Sequence, residues 1–403
     1  MRPYPLLAPL ALALVSALPL AVGCGGSGDT ASATMTTTSG SGGAGGGFPV
    51  PVWLSDARIL VNGGIVENDD CRKGICRHNE NTDLVTFHGD IYLVHRTAHS
   101  QVLGPNSSLH IYRSKDSGAS FTETGVILAP VDRDLRDPHF YIVGETLFIK
   151  ALTRLPVNST RDSNVDTIAM ISSSADGATW SDLSAITPKT WSLWRIKESK
   201  GIFYSAAYED GDKSVWLFTS PDGKVWTKGA PIYTLSVDTP LETELTFLPS
   251  GKILALVRMD GTDGEILGDE GRHRTKVCRS DAPYAAFDCP TEIGDQRLDG
   301  PLSFFHEERL FVVARKHLGA NDRKRTALFE IKGDLESGPL TAAEIGELPS
   351  AADTSYAGVA TVDATRSLVT WYSGNIDKDE GWAFGLFDTT DIWQGTIDFS
   401  KIP

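Results

Sequence analysis

The sequence predicts an all-β chain: a six-bladed β-propeller of four-stranded antiparallel blades, placed behind an export signal and a flexible tether. Two observations lead there, a strand-turn-strand unit that recurs six times and a composition rich in turn formers and sheet-packing aromatics. With 39 Gly, 21 Pro, 9 Trp, 10 Tyr and 16 Phe against 4 Met, turn and strand residues abound and strong helix formers are few. At 403 residues one large all-β domain fits the length as well as two average ones, and the repeat decides for one.

The repeated units begin at Asp83 (DLVTFHGDIYLVHR), Asp137 (DPHFYIVGETLFIKA), Arg195 (RIKESKGIFYSAA), Glu242 (ETELTFLPSGKILALVR), Asp299 (DGPLSFFHEERLFVVAR) and Tyr356 (YAGVATVDATRSLVTWY). Their spacings of 54, 58, 47, 57 and 57 residues suit a four-stranded blade with its loops. Third strands are expected at 109–113, 167–171, 215–219, 276–280, 326–331 and 382–387. The segment 57–61 would supply the outer strand that closes the ring with the last blade.

After several third strands stands a further motif. Ser114-Lys-Asp116-Ser-Gly118-Ala-Ser-Phe121 has the spacing Ser-x-Asp-x-Gly-x-x-aromatic; 173–180 and 219–226 repeat it with the acid one place later, and 280–287 is a degenerate copy. These resemble the Asp-box (BNR) repeats of the sialidase superfamily, tight hairpins on the blade rim, which implies a structural role for Asp116, Asp176 and Asp222 and none in catalysis.

The N-terminus reads as an export signal: Arg2 is positive and residues 6–22 are uncharged. The stretch is broken by Pro9 and Pro19, unlike the roughly 20 apolar residues of a membrane span. Leu20-Ala21-Val22-Gly23-Cys24 resembles a bacterial lipobox, which makes Cys24 the expected lipidated N-terminus. The organisation is therefore signal peptide 1–23, Gly/Ser/Thr-rich tether 24–50 and propeller 51–403, exported and held at the cell envelope by a lipid, with plain secretion the alternative. Beyond Cys24 the chain has an even four cysteines, Cys71, Cys76, Cys278 and Cys289. Local disulfides Cys71–Cys76 and Cys278–Cys289 are the simplest pairing; a four-cysteine zinc site is the competing idea, and neither pair has the two-residue gap of a zinc knuckle. A formal charge of -15 with no offsetting basic cluster argues against nucleic acid and against anionic lipid headgroups.

In a propeller the starts of the innermost strands gather at one mouth of the channel. Here they are Asp83, Asp137 beside Arg136, Arg195 beside Trp194, Glu242, Asp299 and Tyr356, while second strands ending in Arg96, Arg258 and Arg315 return toward the same mouth. Such a funnel suits an oxygen-rich ligand such as a sugar. The plainer reading is that the charges only pair with one another across the channel. His95, His99 and His139 lie near the same mouth, where strand-end histidines more often hydrogen-bond than bind metal; no metal and no cofactor are expected.

Two segments resemble the sialidase active site. Glu242-Thr-Glu-Leu-Thr-Phe-Leu-Pro-Ser-Gly251-Lys-Ile-Leu-Ala-Leu-Val-Arg258 matches a layout in which a glutamate opens an inner strand and a sugar-binding arginine lies sixteen residues on. Thr354-Ser355-Tyr356-Ala-Gly358 matches the context of the nucleophilic tyrosine. The resemblance implies Tyr356 as nucleophile with Glu242 as its base, and Arg258 as one of three arginines that clamp a substrate carboxylate, with Arg325 or Arg315 as another. Two family features are missing. An acidic segment, Asn79-Glu80-Asn81-Thr82-Asp83, stands where the first arginine belongs, and Gln101 holds the expected place of the general acid, for which Asp83 or Asp137 would substitute. Segments like Thr82-Asp83-Leu84, Leu135-Arg136-Asp137-Pro138, Leu193-Trp194-Arg195 and Asp353-Thr-Ser-Tyr356 resemble a less characterised bacterial branch. The expected function is a sialidase-like glycoside hydrolase acting as a monomer on extracellular glycans, its substrate an acidic or polyhydroxylated sugar. The alternative is a non-catalytic propeller that binds glycan or protein.

Overall fold

A computed structural model of the chain describes residues 48–63, 70–102, 104–155, 166–209, 213–234, 239–260, 274–294, 296–318 and 323–403. The expected signal peptide, Cys24 and the tether as far as residue 47 lie outside the described residues. Among the described residues no helix is long and apolar enough to cross a membrane.

Six four-stranded antiparallel blades form the ring. From the channel outward, blade 1 is His78–Phe87, Asp90–Ala98, Ser108–Ser114 and Thr122–Leu128; blade 2 is Asp134–Val143, Thr146–Arg154, Ile168–Ser174 and Ser184–Ala185. Blade 3 is Ser192–Ser199, Ile202–Glu209, Ser214–Ser220 and Thr227–Tyr233; blade 4 is Thr239–Phe247, Ile253–Asp260, Arg274–Ser280 and Asp288–Ile293. Blade 5 is Asp299–His306, Arg309–His317, Lys324–Gly333 and Leu340–Glu347. Blade 6 takes Thr354–Thr361, Arg366–Gly374 and Thr390–Asp398 from the C-terminus and borrows its outer strand, Leu54–Val61, from the N-terminus. Blades 6 and 1 run together as one eight-stranded sheet through a single parallel bridge, His78 to Thr390. Consecutive inner strands touch all the way round, the last against the first.

The core lies between blades. Leu254, Leu256 and Val277 of blade 4 pack on Leu310, Val312 and Phe329 of blade 5; Phe311, Val313 and Leu328 on the other face of blade 5 meet Val369 and Trp371 of blade 6. Because each sheet is covered on both faces, the second strands read as continuous apolar runs, such as Leu310–Ala314, buried throughout. The hairpins that follow third strands are built as the repeats implied. Ser114 Oγ donates to Asp116 Oδ1 at 2.8 Å and the same oxygen accepts the Ser120 amide at 2.8 Å. The next two copies start one residue later than the motif spacing implies. Ser174 and Ser220 bond Asp176 and Asp222, and glycine follows the acid directly. All three acids are exposed on the rim.

One strand departs from expectation. Residues 382–387 do not form the third strand of blade 6: Trp382–Gly385 is a single helical turn, and the strand is Thr390–Asp398. The turn brings the Trp382 indole to the channel mouth, where its Nε1 donates to Asp353 at 2.9 Å; the segment 390–398, with Ile392 and Ile397 fully buried, does the packing. Both expected disulfides are present, Cys71–Cys76 and Cys278–Cys289, with Cα separations of 5.4 and 4.1 Å. Such bonds belong to an oxidising compartment and agree with export.

The seam between blades 6 and 1 is tight enough to test. A Cβ on Gly358 would stand 2.4 Å from the Leu84 amide nitrogen and 2.6 Å from the Asp83 carbonyl carbon, both backbone. Gly358→Ala is expected to lower unfolding stability in urea by about 3 kcal/mol. Gly294→Ala, whose Cβ meets nothing within 4 Å, is expected to stay within about 0.5 kcal/mol of wild type. Equal midpoints for the two variants would contradict the seam geometry.

Candidate active site

Every inner strand carries a β-bulge at its channel-mouth end. The ladder slips between Glu80 and Asp83, Arg136 and His139, Leu193 and Ile196, Pro240 and Thr243, Asp299 and Leu302, and Ser355 and Gly358. A bulge adds a residue to one strand and re-aims its side chain. Four bulges place a residue in the left-handed region: Asn81 (φ 53), Asp137 (φ 50), Gly300 (φ 56) and Tyr356 (φ 48). For non-glycine residues that conformation costs of order 1–3 kcal/mol and is kept where the surroundings enforce it. Asn81, Asp137, Glu242 and Tyr356 line a cavity of about 190 Å³ at the mouth, with Glu80, Gln101, Arg136, Arg154, Arg258, Arg315, Tyr372 and Trp382 among its other walls.

Tyr356 and Glu242 meet in that cavity. The tyrosine hydroxyl donates to Glu242 Oε1. The other carboxylate oxygen accepts Arg258 Nη1 at 2.8 Å and the Gly300 amide at 2.8 Å, so Glu242 is fixed from blades 4, 5 and 6. Arg258 Nη1 also reaches the tyrosine hydroxyl at 3.4 Å. Burial raises the Tyr356 hydroxyl well above the usual phenol range, and Glu242 adds to it; Arg315 and Arg258 pull the other way. The ring is braced from behind by Trp194, edge to face at 5.8 Å between centroids, and covered by the Arg315 guanidinium at 5.1 Å.

The arginines divide by how many of their donors are already taken. Arg258 gives Nε and Nη2 to Asp260 at 2.6 and 2.8 Å, with Asp299 a further 3.2 Å neighbour. Arg315 donates to the Thr354 carbonyl at 2.8 Å, to Asp353 at 3.0 Å and to the Tyr372 hydroxyl at 2.8 Å. Arg136 is held by Asp134 and by the Gln101 carbonyl. Arg154, at the end of the second strand of blade 2, pairs with Asp134 through the backbone ladder, while its side chain lines the cavity and makes no hydrogen bond or ion pair to a described residue. Burial, with Arg136 nearby, lowers its pKa to about 10, which leaves it charged at neutral pH.

Asp137 sits across the cavity from Glu242. Burial raises its carboxyl above the ordinary range; Arg136 and Lys150 oppose the shift, and Glu242 and Glu80 reinforce it. Lys150 fixes the bulge beneath it, donating to the Asp137 carbonyl at 3.2 Å and to the Leu193 carbonyl of blade 3 at 2.8 Å.

Several residues expected at the mouth stand elsewhere. Asp83 follows its bulge, as His139 does in blade 2, so its side chain is turned out of the cavity: it accepts the Phe140 amide at 2.8 Å and Arg195 Nη1 at 2.9 Å. Arg195 crosses to the opposite blade, donating to the Ala357 carbonyl at 2.8 Å, and forms part of the floor below the cavity rather than its lining. Asp299 lies behind Arg258; burial alone would raise it, but Arg258, Arg297 and His317 hold it well below the carboxylate range. Arg96 is buried between Glu80 and Asp134, and Arg325 pairs with Asp379 at 2.8 Å beyond the cavity wall. Of the histidines considered for metal, His95 stacks on Tyr112 and His139 packs on Trp194, facing different neighbours. Arg154, Tyr372 and Trp382 also line the cavity and Asp353 stands behind it, bonded to Arg315 and Trp382, none of them expected there. Arg154 had a signal, an arginine closing a second strand as Arg96 and Arg258 do; Trp382 had none, since its segment reads as a strand and forms a helical turn instead.

No protein-family model matches the sequence, and no curated protein matches it either. Solved structures match the fold. A protein of unknown function from Dyadobacter fermentans aligns with TM-score 0.61 at 15% identity over 85% of this chain and 99% of its own. The intramolecular trans-sialidase from Ruminococcus gnavus, in complex with oseltamivir carboxylate, aligns with TM-score 0.61 at 10% identity over 86% and 99%. Trypanosoma rangeli sialidase in complex with sialic acid gives 0.59 at 11% identity over 86% of this chain and 59% of that one. An α-L-arabinanase from Penicillium chrysogenum, complexed with arabinobiose, gives 0.56 at 15% identity over 88% and 100%. With its Asp-box hairpins and six closed blades, the chain has the sialidase-like propeller fold.

Proposed function

We propose that this protein is an exported exo-glycoside hydrolase with Tyr356 as nucleophile, Glu242 as the base that receives its proton and Asp137 as the general acid. The observation behind the reading is the hydrogen bond from the Tyr356 hydroxyl to a Glu242 carboxylate already oriented by Arg258 and Gly300. A buried phenol held well above its ordinary pKa is a poor nucleophile alone, so the adjoining carboxylate must take the proton as the oxygen attacks the anomeric carbon. A neutral tyrosine also avoids the repulsion that an anionic nucleophile meets at a sugar bearing its own negative charge. Asp137, whose environment favours the protonated carboxyl, then gives its proton to the departing glycosidic oxygen.

The substrate in this reading is one terminal sugar residue. The cavity of about 190 Å³ lies below the roughly 300 Å³ at which drug-sized pockets begin. Arg258 and Arg315 spend most of their donors on Asp260, Asp353, Thr354 and Tyr372, so a three-arginine clamp on a carboxylate is not part of the proposal. Arg154 takes an anionic or hydroxyl oxygen of the sugar instead. The solved arabinanase and sialidases that share the fold carry arabinobiose, sialic acid or an inhibitor, which supports glycan as the ligand class. The export signal and Cys24 make the proposed setting a lipid-anchored protein of the bacterial envelope. The second reading, a propeller that binds glycan or protein without cleaving it, is favoured by those same self-satisfied arginines.

Assayed on a panel of sialoside, uronide and neutral aryl glycosides, wild-type protein is expected to cleave at least one. Tyr356→Phe and Glu242→Gln are each expected to lower kcat/KM by about 1,000-fold. Binding on a glycan array with no member of the panel cleaved would remove the enzyme and leave the binder.

Asp137 gives a separate test through pH. Its raised folded-state pKa keeps the acid protonated below that value, and activity is lost as pH rises through it. The basic limb of kcat/KM therefore falls above the ordinary carboxyl range near 4. In Asp137→Asn, turnover of an ordinary glycoside is expected to drop by about 100-fold or more, whereas a dinitrophenyl glycoside, whose leaving group needs no proton, is cleaved with the basic limb gone. An unchanged limb in that variant would assign the proton to another group.

A further inference from the structure

Beside the cavity, at the seam of the ring, three acceptor atoms point at one another with no donor between them. His78 and Glu80 stand two residues apart on the inner strand of blade 1, hence on one face, and Asp353 immediately precedes the inner strand of blade 6. His78 Nε2 lies 3.5 Å from Glu80 Oε2 and 3.8 Å from Asp353 Oδ2, and all three side chains are at most 1% exposed. The three atoms lie within 4.8 Å of one another, and none has a hydrogen-bond partner.

The remaining atoms of these side chains are all engaged, and this fixes what the free ones can do. His78 Nδ1 is 2.9 Å from the Asp388 carbonyl oxygen; a carbonyl only accepts, so Nδ1 bears the hydrogen and Nε2 of the neutral ring offers a lone pair. Asp353 Oδ1 accepts Arg315 Nη2 at 3.0 Å, the Tyr372 hydroxyl at 3.0 Å and Trp382 Nε1 at 2.9 Å. Glu80 Oε1 accepts Arg96. An imidazole that donates its far N–H to a carbonyl, beside carboxylates oriented by outer donors, is the arrangement that surrounds protein-bound metal ions.

A cation is needed among three acceptors, and distance chooses between a proton and a metal. Both separations, 3.5 and 3.8 Å, exceed the roughly 2.7–3.2 Å of a direct hydrogen bond. Ligands about 2.0–2.2 Å from a tetrahedral ion stand roughly 3.3–3.6 Å apart, close to the 3.5 and 3.8 Å separations observed. We propose that His78, Glu80 and Asp353 bind a divalent metal ion of the zinc type, one nitrogen and two oxygens, with the fourth position taken by an enclosed water. The donor set is too small and too nitrogenous for calcium, which takes six to eight oxygens. Because its ligands come from blades 1 and 6 next to the His78–Thr390 bridge, the ion clamps the ring where it closes. It also steadies Asp353, which orients Arg315, Tyr372 and Trp382 at the cavity. Arg96 and Arg315 already neutralise part of the acidic charge, so the site binds its ion reversibly and yields it to a chelator.

The test needs no substrate. The full chain is stripped with a chelator, incubated with a slight excess of zinc chloride, desalted and analysed by plasma mass spectrometry beside a thermal melt. The site requires about one zinc per chain and a Tm about 4 °C above the stripped protein, with calcium giving neither. His78→Ala is expected to retain less than a tenth of the zinc and to melt at one temperature with or without it; Glu80→Gln serves if that variant does not fold. Wild-type protein that holds no zinc and melts unchanged overturns the proposal, as does full zinc retention in a folded variant. Neither outcome bears on whether a glycoside is cleaved.

Discussion

The Glu242 carboxylate is the point on which the rest of the site turns. One oxygen accepts the Tyr356 hydroxyl; the other accepts Arg258 and the Gly300 amide. Those donors come from blades 4, 5 and 6, so the carboxylate is correctly placed only once three blades have docked and the ring is closed. Burying an ionised acid is costly unless it is fully hydrogen-bonded, and Arg258 carries that compensation back to Asp260 and Asp299. The same desolvation that makes the network expensive is what keeps the neighbouring phenol neutral.

The bulges explain how a stiff scaffold presents such a cluster. Inner strands that ran regularly would alternate between the two blade interfaces and leave little to face the mouth. An extra residue in each strand rotates one side chain toward the channel, and at Asp137 and Tyr356 the backbone enters the left-handed region to do so. Lys150 and Arg195 fix the chain behind those bulges, by bonds to the Asp137 and Ala357 carbonyls. Residues expected at the channel mouth thus divide into two sets. One faces the cavity, and the other, Arg96, Arg195, Asp83 and Asp299, holds the first in place.

The fold was legible because a propeller repeats its local rules: alternating strands, Asp-box hairpins and an N-terminal strand left over to close the ring each left a mark at similar spacing. The Tyr356, Glu242 and Arg258 grouping was legible through the family-like contexts around each residue. What was hidden depends on register. Asp83 looked equivalent to Asp137, but the bulge in blade 1 falls at Asn81 and Thr82, one turn of the pleat earlier. Trp382 was hidden because its apolar run, Trp-Ala-Phe-Gly, reads as a strand until the tertiary structure gives that role to Thr390–Asp398. The His78, Glu80 and Asp353 cluster joins opposite ends of the chain, so no local spacing announces it.

Whether Tyr356 forms the covalent bond is most directly read by trapping it. A fluorinated glycosyl donor of whichever sugar the protein cleaves should leave a slowly hydrolysed adduct, located by mass spectrometry of the digested chain. The account requires the added mass on the Tyr356 hydroxyl, and its disappearance in Glu242→Gln. A label on the carboxylate of Glu242 or Asp137 would contradict it.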